Sequence, residues 1–393
     1  MARLESIIGK AISGEWGEDD ENGTGIPVLR TTNFTNDGVI NYTNVVTRII
    51  TKDNLSVKYL RPGDIIIEKS GGSGKQPVGR VVYYDGPDNT YLFNNFTGVL
   101  RIIDTDQWDS KYLFYALFAN YQRGGTRKYQ NKTTGLHNLK TDQYVKEVEI
   151  PERLYNEQKH IAHILDKVCN LIALRKQQLD KLDELVKARF VEMFGDIIHN
   201  NMNWPTFLLS DVANSRLGKM LDAKQQTGQY RFPYLANFNV QWFRFEIAEL
   251  NKMDFNEADQ KEFELKDGDL LVCEGGEVGR CAVWHDQVVP CYFQKALHRI
   301  RCNSEIIEPN YLSWWFKFHS EYNQFEDVVG SKATIAHLPG AKLKKLEVVI
   351  PPVELQRQFS SVVAQVDKCR LTTKQGLDKL EMMNKALMQR YFG

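Results

Sequence analysis

Glu157-Gln158-Lys159-His160-Ile161-Ala162-His163-Ile164-Leu165-Asp166 opens a stretch that runs without proline or glycine to Met193-Phe194-Gly195. Apolar residues recur at Ile161, Ile164, Leu165, Val168, Leu171, Ile172, Leu179, Leu182, Val186 and Phe190, with Lys, Arg, Asp, Glu and Gln between them. Such a three-to-four spacing puts one apolar stripe on a helix roughly 55–60 Å long. Asn156 is placed to cap its start and Gly195 to end it. A helix of this length needs a partner to cover its stripe.

The chain supplies that partner itself. Ile150-Pro151 precedes the stretch, and about 200 residues later Ile350-Pro351, Arg357-Gln358 and Tyr391-Phe392-Gly393 repeat its landmarks. Residues 354–391 carry Phe359, Val363, Val366, Leu377, Leu380, Met383 and Leu387 at similar spacing, with Gly376 predicting a weakened or slightly bent second copy. Packing is therefore expected through Ile161, Leu165, Val168, Leu179, Leu182 and Val186 on one helix. On the other it is expected through Phe359, Val363, Val366, Leu380, Met383 and Leu387.

The echo extends upstream. Gly63-Asp64-Ile65-Ile66 and Gly268-Asp269-Leu270-Leu271 each lead to a glycine pair (Gly71-Gly72, Gly275-Gly276) and then to Val-Gly-Arg at Val78-Gly79-Arg80 and Val278-Gly279-Arg280. Between the landmarks, strand-like runs (Ile26–Leu29, Ile65–Glu68, Val78–Tyr84, Phe96–Ile103; Leu270–Val272, Arg280–Trp284, Leu297–Ile300) alternate with turn chemistry. Tyr112–Tyr121 and Tyr311–Phe318 read as buried helices. The reading is a mixed α/β (α+β) chain of globe 1–150, helical region 151–196, globe 197–350 and helical region 351–393. The two long helices form an antiparallel coiled coil, giving pseudo-two-fold symmetry suited to a two-fold partner.

Composition narrows the function. The 393 residues are 42% hydrophobic and 25% charged with zero net charge, which disfavours a surface wrapped wholly in nucleic acid and leaves local basic patches. No leader-like apolar core and no run near 20 apolar residues is seen, so the expected location is the cytoplasm. Cys273, Cys281, Cys291 and Cys302 lie near His285 and His298 at spacings that fit no standard zinc motif, so no metal is expected. Cys169 and Cys369 are read as equivalent core thiols.

No catalytic set emerges. Lys69-Ser70-Gly71-Gly72-Ser73-Gly74-Lys75-Gln76 misses the phosphate-loop spacing, and no Asn-Pro-Pro-Tyr or Asp-Pro-Pro-Tyr methyltransferase run occurs. The positive signal is Tyr121–Thr141, where Arg123, Arg127, Lys128, Lys132 and Lys140 occur without a single acid, interleaved with Tyr129, Asn131 and His137. Lys and Arg neutralise phosphates, while Asn, Gln and Arg can read base edges. Further candidates for nucleic-acid contact are Arg30, Thr31, Asn33, Lys69, Ser73 and Lys75 in the first globe. The second globe offers Asn237, Asn239, Gln241, Arg280, Lys332, Thr334 and His337.

The run from Glu157-Gln158 through Arg175-Lys176-Gln177-Gln178-Leu179 and Asp183-Glu184-Leu185 to Phe190-Val191-Glu192-Met193-Phe194-Gly195 resembles the central helical region of type I restriction-modification specificity subunits. The order globe, helix, globe, helix extends the resemblance over the whole chain. The resemblance implies two target recognition domains, each reading half of a split DNA sequence, with the helices as a ruler for the unread spacer. It implies a non-catalytic subunit that docks two modification (methyltransferase) subunits and, indirectly, ATP-dependent restriction subunits. S-adenosylmethionine, ATP and magnesium would belong to those partners. The alternative is a non-catalytic two-domain coiled-coil adaptor without DNA specificity.

Overall fold

The computed structural model describes residues 1–52, 55–73, 76–132, 137–222, 226–325 and 337–393. The chain divides into two compact units: residues 1–176 with 375–393, and residues 177–374. The linear four-part scheme is therefore cut differently in space, because each long helix gives one half to each unit.

The first unit is built on a four-stranded antiparallel sheet in the order Ile12–Ser13, Thr97–Leu100, Ile65–Glu68, Val81–Tyr83. Its central strand is buried throughout because both faces are covered. Ile65 and Ile67 join the core beneath the helix Ser110–Gln122, while Ile66 faces a second cluster with Phe34, Tyr84 and Phe93. A second sheet, ordered Glu18–Asp19, Val46–Ile49, Ile26–Leu29, Leu92–Phe93, closes with a parallel pair.

The second unit repeats this plan. Its main sheet runs Ala213–Leu217, Leu297–Cys302, Leu270–Cys273, Cys281–Val283. Leu270 and Val272 face the helix Pro309–Glu321, while Leu271 and Cys273 face a separate cluster around Trp284 and Phe293. Its three-stranded sheet likewise has a parallel pair, Tyr234↔Tyr292. The repeated Gly-Asp has a structural meaning: Asp64 accepts from Arg101, and Asp269 from Arg301, each through two bonds of 2.7 Å. These near-buried carboxylates use the bidentate geometry that makes charge-assisted pairs strong.

The long helices run Tyr155–Phe194 and Val353–Phe392. Asn156 lies inside the first turn rather than capping it, and the second helix continues through Gly376 without a break. Gly195 ends the first helix in a left-handed conformation, φ +75°, with its N–H returning to the Val191 carbonyl at 2.8 Å. In the first unit the helix halves run antiparallel: Ile161 and Leu165 share a core with Phe392, while Lys176 lies 4.0 Å from Glu381. In the second, Phe359 meets Phe190 at 5.3 Å and Phe194 at 5.5 Å between ring centres, while Arg370 pairs with Asp183 at 2.5 Å. Val168, Val186 and Val366 are buried, and Leu179, Leu182, Val363, Leu380 and Leu387 are half-buried. Met383 is 43% exposed and does not belong to the packing seam.

Two glutamines tie the helices to the globes, and they correct the register of the repeat. Gln158 accepts from the Asp109 N–H at 2.9 Å and donates to the carbonyls of Gln107 and Arg153, both at 3.0 Å. Gln356, not Gln358, does the same for the Glu308 N–H (2.9 Å), Ile306 (3.1 Å) and Pro351 (2.7 Å). The helices therefore align at an offset of 198, which also matches Phe194 to Phe392. By the same offset Cys169 corresponds to Asp367. Cys169 is half-buried, whereas Cys369 is exposed, so the two are not equivalent core thiols.

Candidate nucleic-acid interface

Each unit carries the same small platform. A single 3-10 turn, Thr31–Asn33 or Asn237–Asn239, follows an inner strand. Its last residue is an asparagine turned inward. Asn33 accepts from the Arg30 N–H (3.0 Å) and donates to the Asn41 carbonyl (2.9 Å). Asn239 accepts from the Ala236 N–H (2.9 Å) and donates to the Glu246 carbonyl (2.8 Å). Both are 2% exposed, so their amides are spent within the fold and cannot reach a base.

The Val-Gly-Arg arginine braces this turn from behind. Arg80 donates to the carbonyls of Phe34 and Thr31, each at 2.9 Å. Arg280 donates to the Asn237 carbonyl at 3.2 Å and to its side-chain oxygen at 2.8 Å. The Asn237 amide in turn donates to the Gly275 carbonyl at 2.8 Å. Arg280 and Asn237 therefore leave the set of direct DNA contacts and join the support of the platform. Thr31 and Gln241 are half-buried, and the Gln241 amide donates to the Phe238 carbonyl at 3.1 Å.

The platform ends at the glycine pair. In the first unit Ser70–Gly72 forms a sheet with His137–Leu139 and Gln130–Lys132. A strand and a turn thus occupy residues 70–73, and the next described element is the strand Val81–Tyr83, not the helix that a phosphate loop requires. In the second unit only the bridge Gly275↔His337 is described. His337 takes the place of Asn138, which pairs with Ser70, so the two histidines 200 positions apart are not equivalent.

The side chains set on this shared frame differ. The Lys69 N–H donates to the Phe96 carbonyl (2.7 Å) and its carbonyl accepts from Leu139 (2.8 Å); Glu274 makes the same pair of bonds with Ala296 (2.9 Å) and Leu338 (2.7 Å). Lysine and phenylalanine in one copy are thus glutamate and alanine in the other. A 700 Å³ cleft in the first unit is lined by Lys69, Ser70, Asn95, Phe96 and Lys140. Burial lowers the Lys69 pKa, opposed by the nearby Asp142 carboxylate. Phe96 is 49% exposed there, and Phe238 is 58% exposed on the second unit's turn. Sequence reasoning missed both, because an aromatic beside a strand reads as core.

The basic segment 121–141 is used unevenly. Arg127, Lys128, Asn131 and Lys140 are exposed, with the Lys128 ammonium 4.7 Å from the Tyr129 ring centre. Tyr129 itself is 1% exposed and meets Tyr144 edge-on at 5.3 Å, so it is a core residue rather than a stacking contact. Arg123 donates to the Phe392 carbonyl and seals the end of the second long helix. His137 bonds Gln130 at 3.2 Å, Ser73 closes a turn with Gln76, and Arg30 is half-buried. Lys75, Lys332, Thr334 and the side chain of Lys132 lie outside the described residues. Among the described residues there is no His, Cys, Asp and Glu grouping able to hold a metal, and no helix long and apolar enough to cross a membrane.

Residues 4–184 and 201–382 each match the family described as type I restriction modification DNA specificity domain. The chain belongs to that family. Two tandem copies of the domain fill it, and the family is that of the non-catalytic specificity subunits of type I systems. A putative type I restriction enzyme MjaX specificity subunit of Methanocaldococcus jannaschii is 22% identical over 194 residues, 48% of this chain and 45% of that relative. The chain thus spans about half the length of that curated relative. Two solved structures share the fold. The S subunit of a type I restriction-modification system from M. genitalium superposes with a TM-score of 0.60 at 16% identity, covering 100% of this chain and 95% of that one. A chain from a structural study of complex assembly and conformational transition of the type I R-M system gives 0.56 at 14% identity, covering 100% and 96%.

Proposed function

We propose that this chain is the DNA-reading subunit of a type I restriction-modification complex, each unit recognising one half of a bipartite target. Regions 1–150 and 197–350 are the readers, and regions 151–196 and 351–393 are the scaffold that fixes the unread spacer. The observation that carries the reading is the platform present in both units: the same turn, bracing arginine and glycine edge, with different side chains set on it. A constant frame with Lys69 and Phe96 in one copy and Glu274 and Ala296 in the other is what two readers of different sequences need.

In the first unit, Arg127, Lys128 and Lys140 neutralise phosphates, while Asn131, Ser73, His137, Lys69 and Phe96 face the bases. In the second, the DNA contacts are Phe238, His337, Lys332 and Thr334. The helices dock two modification subunits, which bring S-adenosylmethionine, and through them the restriction subunits with ATP and magnesium. The complex acts in the cytoplasm.

The test is a domain exchange. The chain is expressed with a modification subunit and the methylated bases in cellular DNA are mapped. Replacing residues 1–150 with a globe of different specificity should change one half-site and leave the other half and the spacer intact. A change in both halves, or methylation without sequence preference, refutes the reading.

A further inference from the structure

The second unit places two large aromatic residues where a tight turn ordinarily takes small ones. Its hairpin pairs Val240 with Phe245 and Gln241 with Arg244, so Trp242 and Phe243 form the tip. Phe243 holds a left-handed backbone, φ +62°, a conformation that favours glycine and asparagine and strains a bulky side chain. The matched hairpin of the first unit, closed by the bridge Phe34↔Ile40, carries Asn36-Asp37-Gly38 instead. Strain of this kind persists only where surrounding contacts hold it, and it gathers at functional sites.

Both tip residues are held on several sides. The Phe243 ring stacks on Trp314 of the helix Pro309–Glu321 at 4.5 Å between centres, and its N–H donates to the Cys281 carbonyl at 2.9 Å. The Lys317 ammonium, from the same helix, lies 4.6 Å from the Trp242 ring centre. The Trp242 indole N–H donates to Glu277 Oε1, while the Arg280 guanidinium lies 3.4 Å from Glu277 Oε2. Arg280 is the arginine that braces the turn Asn237–Asn239, and Phe238 on that turn is 58% exposed. One run of contacts therefore joins the buried helix, the hairpin tip and the bracing arginine. The first unit joins its hairpin to its arginine by other chemistry: the Asn36 side-chain oxygen accepts from Arg80 and from Gln76, each at 3.3 Å.

We propose that Trp242 is a positioning residue for the second reader: it holds Glu277 so that Arg280 keeps the turn beneath Phe238 in place. The proposal rests on the DNA-reading function and adds to it a residue that acts through Glu277 and Arg280 rather than on a base. Glu277 is exposed, and a carboxylate shared with water holds an arginine loosely. The indole donor fixes one carboxylate oxygen and leaves the other aimed at the guanidinium. Without that donor Arg280 keeps its bonds to Asn237 but loses its tether. The turn then samples more positions and admits base pairs that a fixed turn rejects.

The full chain and its variants are each expressed with a modification subunit, and the methylated bases in cellular DNA are mapped. The readout, for each half-site, is the ratio of methylation at the preferred sequence to methylation at sequences one base away from it. Trp242→Phe keeps a ring beneath Lys317 and removes the N–H. It should lower the ratio about fivefold in the half that survives exchange of residues 1–150, and leave the other half unchanged. Glu277→Ala, at an exposed position, removes the same bond from its other end and should match it. The double variant should be no worse than either single one, because all three lose one interaction. Glu277→Gln keeps the acceptor and should stay within about twofold of the unaltered chain. An unchanged ratio in both halves for Trp242→Phe overturns the proposal, as does an equal fall in both. So does a double variant whose effect is the product of the single ones, or a Glu277→Gln chain as relaxed as Glu277→Ala. Methylation without preference by the unaltered chain is a distinct result, which refutes the DNA-reading function and this proposal with it.

Discussion

Gln356→Leu isolates the anchor between a long helix and its globe. The side chain is fully buried, and its amide satisfies the Glu308 N–H and the carbonyls of Ile306 and Pro351 at 2.9, 3.1 and 2.7 Å. Leucine matches the volume but satisfies none of them, leaving a donor and two acceptors dry. At roughly 1 kcal/mol net per bond, the loss is about 3 kcal/mol. The assay is urea unfolding followed by circular dichroism, with hydrogen exchange at the start of the helix Pro309–Glu321 to place the loss in the second unit. The neighbouring Gln358→Leu, at an exposed position, should stay within about 0.5 kcal/mol. A loss below about 1 kcal/mol for Gln356→Leu, or an equal loss for Gln358→Leu, would refute the anchor and with it the 198-residue register.

Three further outcomes test other parts of the molecule. Arg127→Ala with Lys128→Ala should weaken DNA binding by the assembled complex and lower the slope of log affinity against log salt by about 2; an unchanged slope removes both from phosphate contact. His319 stacks on Trp315 at 3.6 Å, and burial pushes its pKa down from 6.5 to about 4, against a hydrogen bond to the Trp315 carbonyl that raises it. The unfolded chain therefore binds the proton first, so this contribution is full above pH 6.5 and is lost as pH falls toward 4, on the order of 3 kcal/mol in all. Urea midpoints at pH 7.5, 5.5 and 4.5 should show the decline, and His319→Gln should flatten it; parallel curves would contradict the assignment. Finally, a four-residue insertion within 160–190, adding about 6 Å of helix, should change the preferred spacer and not the bases read; an unchanged spacer sinks the ruler.

Much of the fold was legible in the chain because periodicity and turn chemistry are local. The strands Ile26–Leu29 and Ile65–Glu68 have the expected bounds, and both long helices lie within a residue or two of theirs. The candidate site was less legible. Asn33, Asn239, Tyr129 and Arg280 have the right chemistry for nucleic acid, yet their hydrogen bonds and rings are turned into the fold. Phe96 and Phe238 carry the apolar signature of core and are exposed.

The sequence alone determined the duplication, the order globe, helix, globe, helix, and the strand and helix frame, since each rests on spacing within one segment. Only the tertiary structure decided which copy of a polar residue faces inward. That Gln356 rather than Gln358 is the anchor, and that Lys69 in one unit is matched by Glu274 in the other, depend on which partners surround a side chain. Burial and hydrogen-bond satisfaction are properties of contacts between distant segments, and no local pattern encodes them.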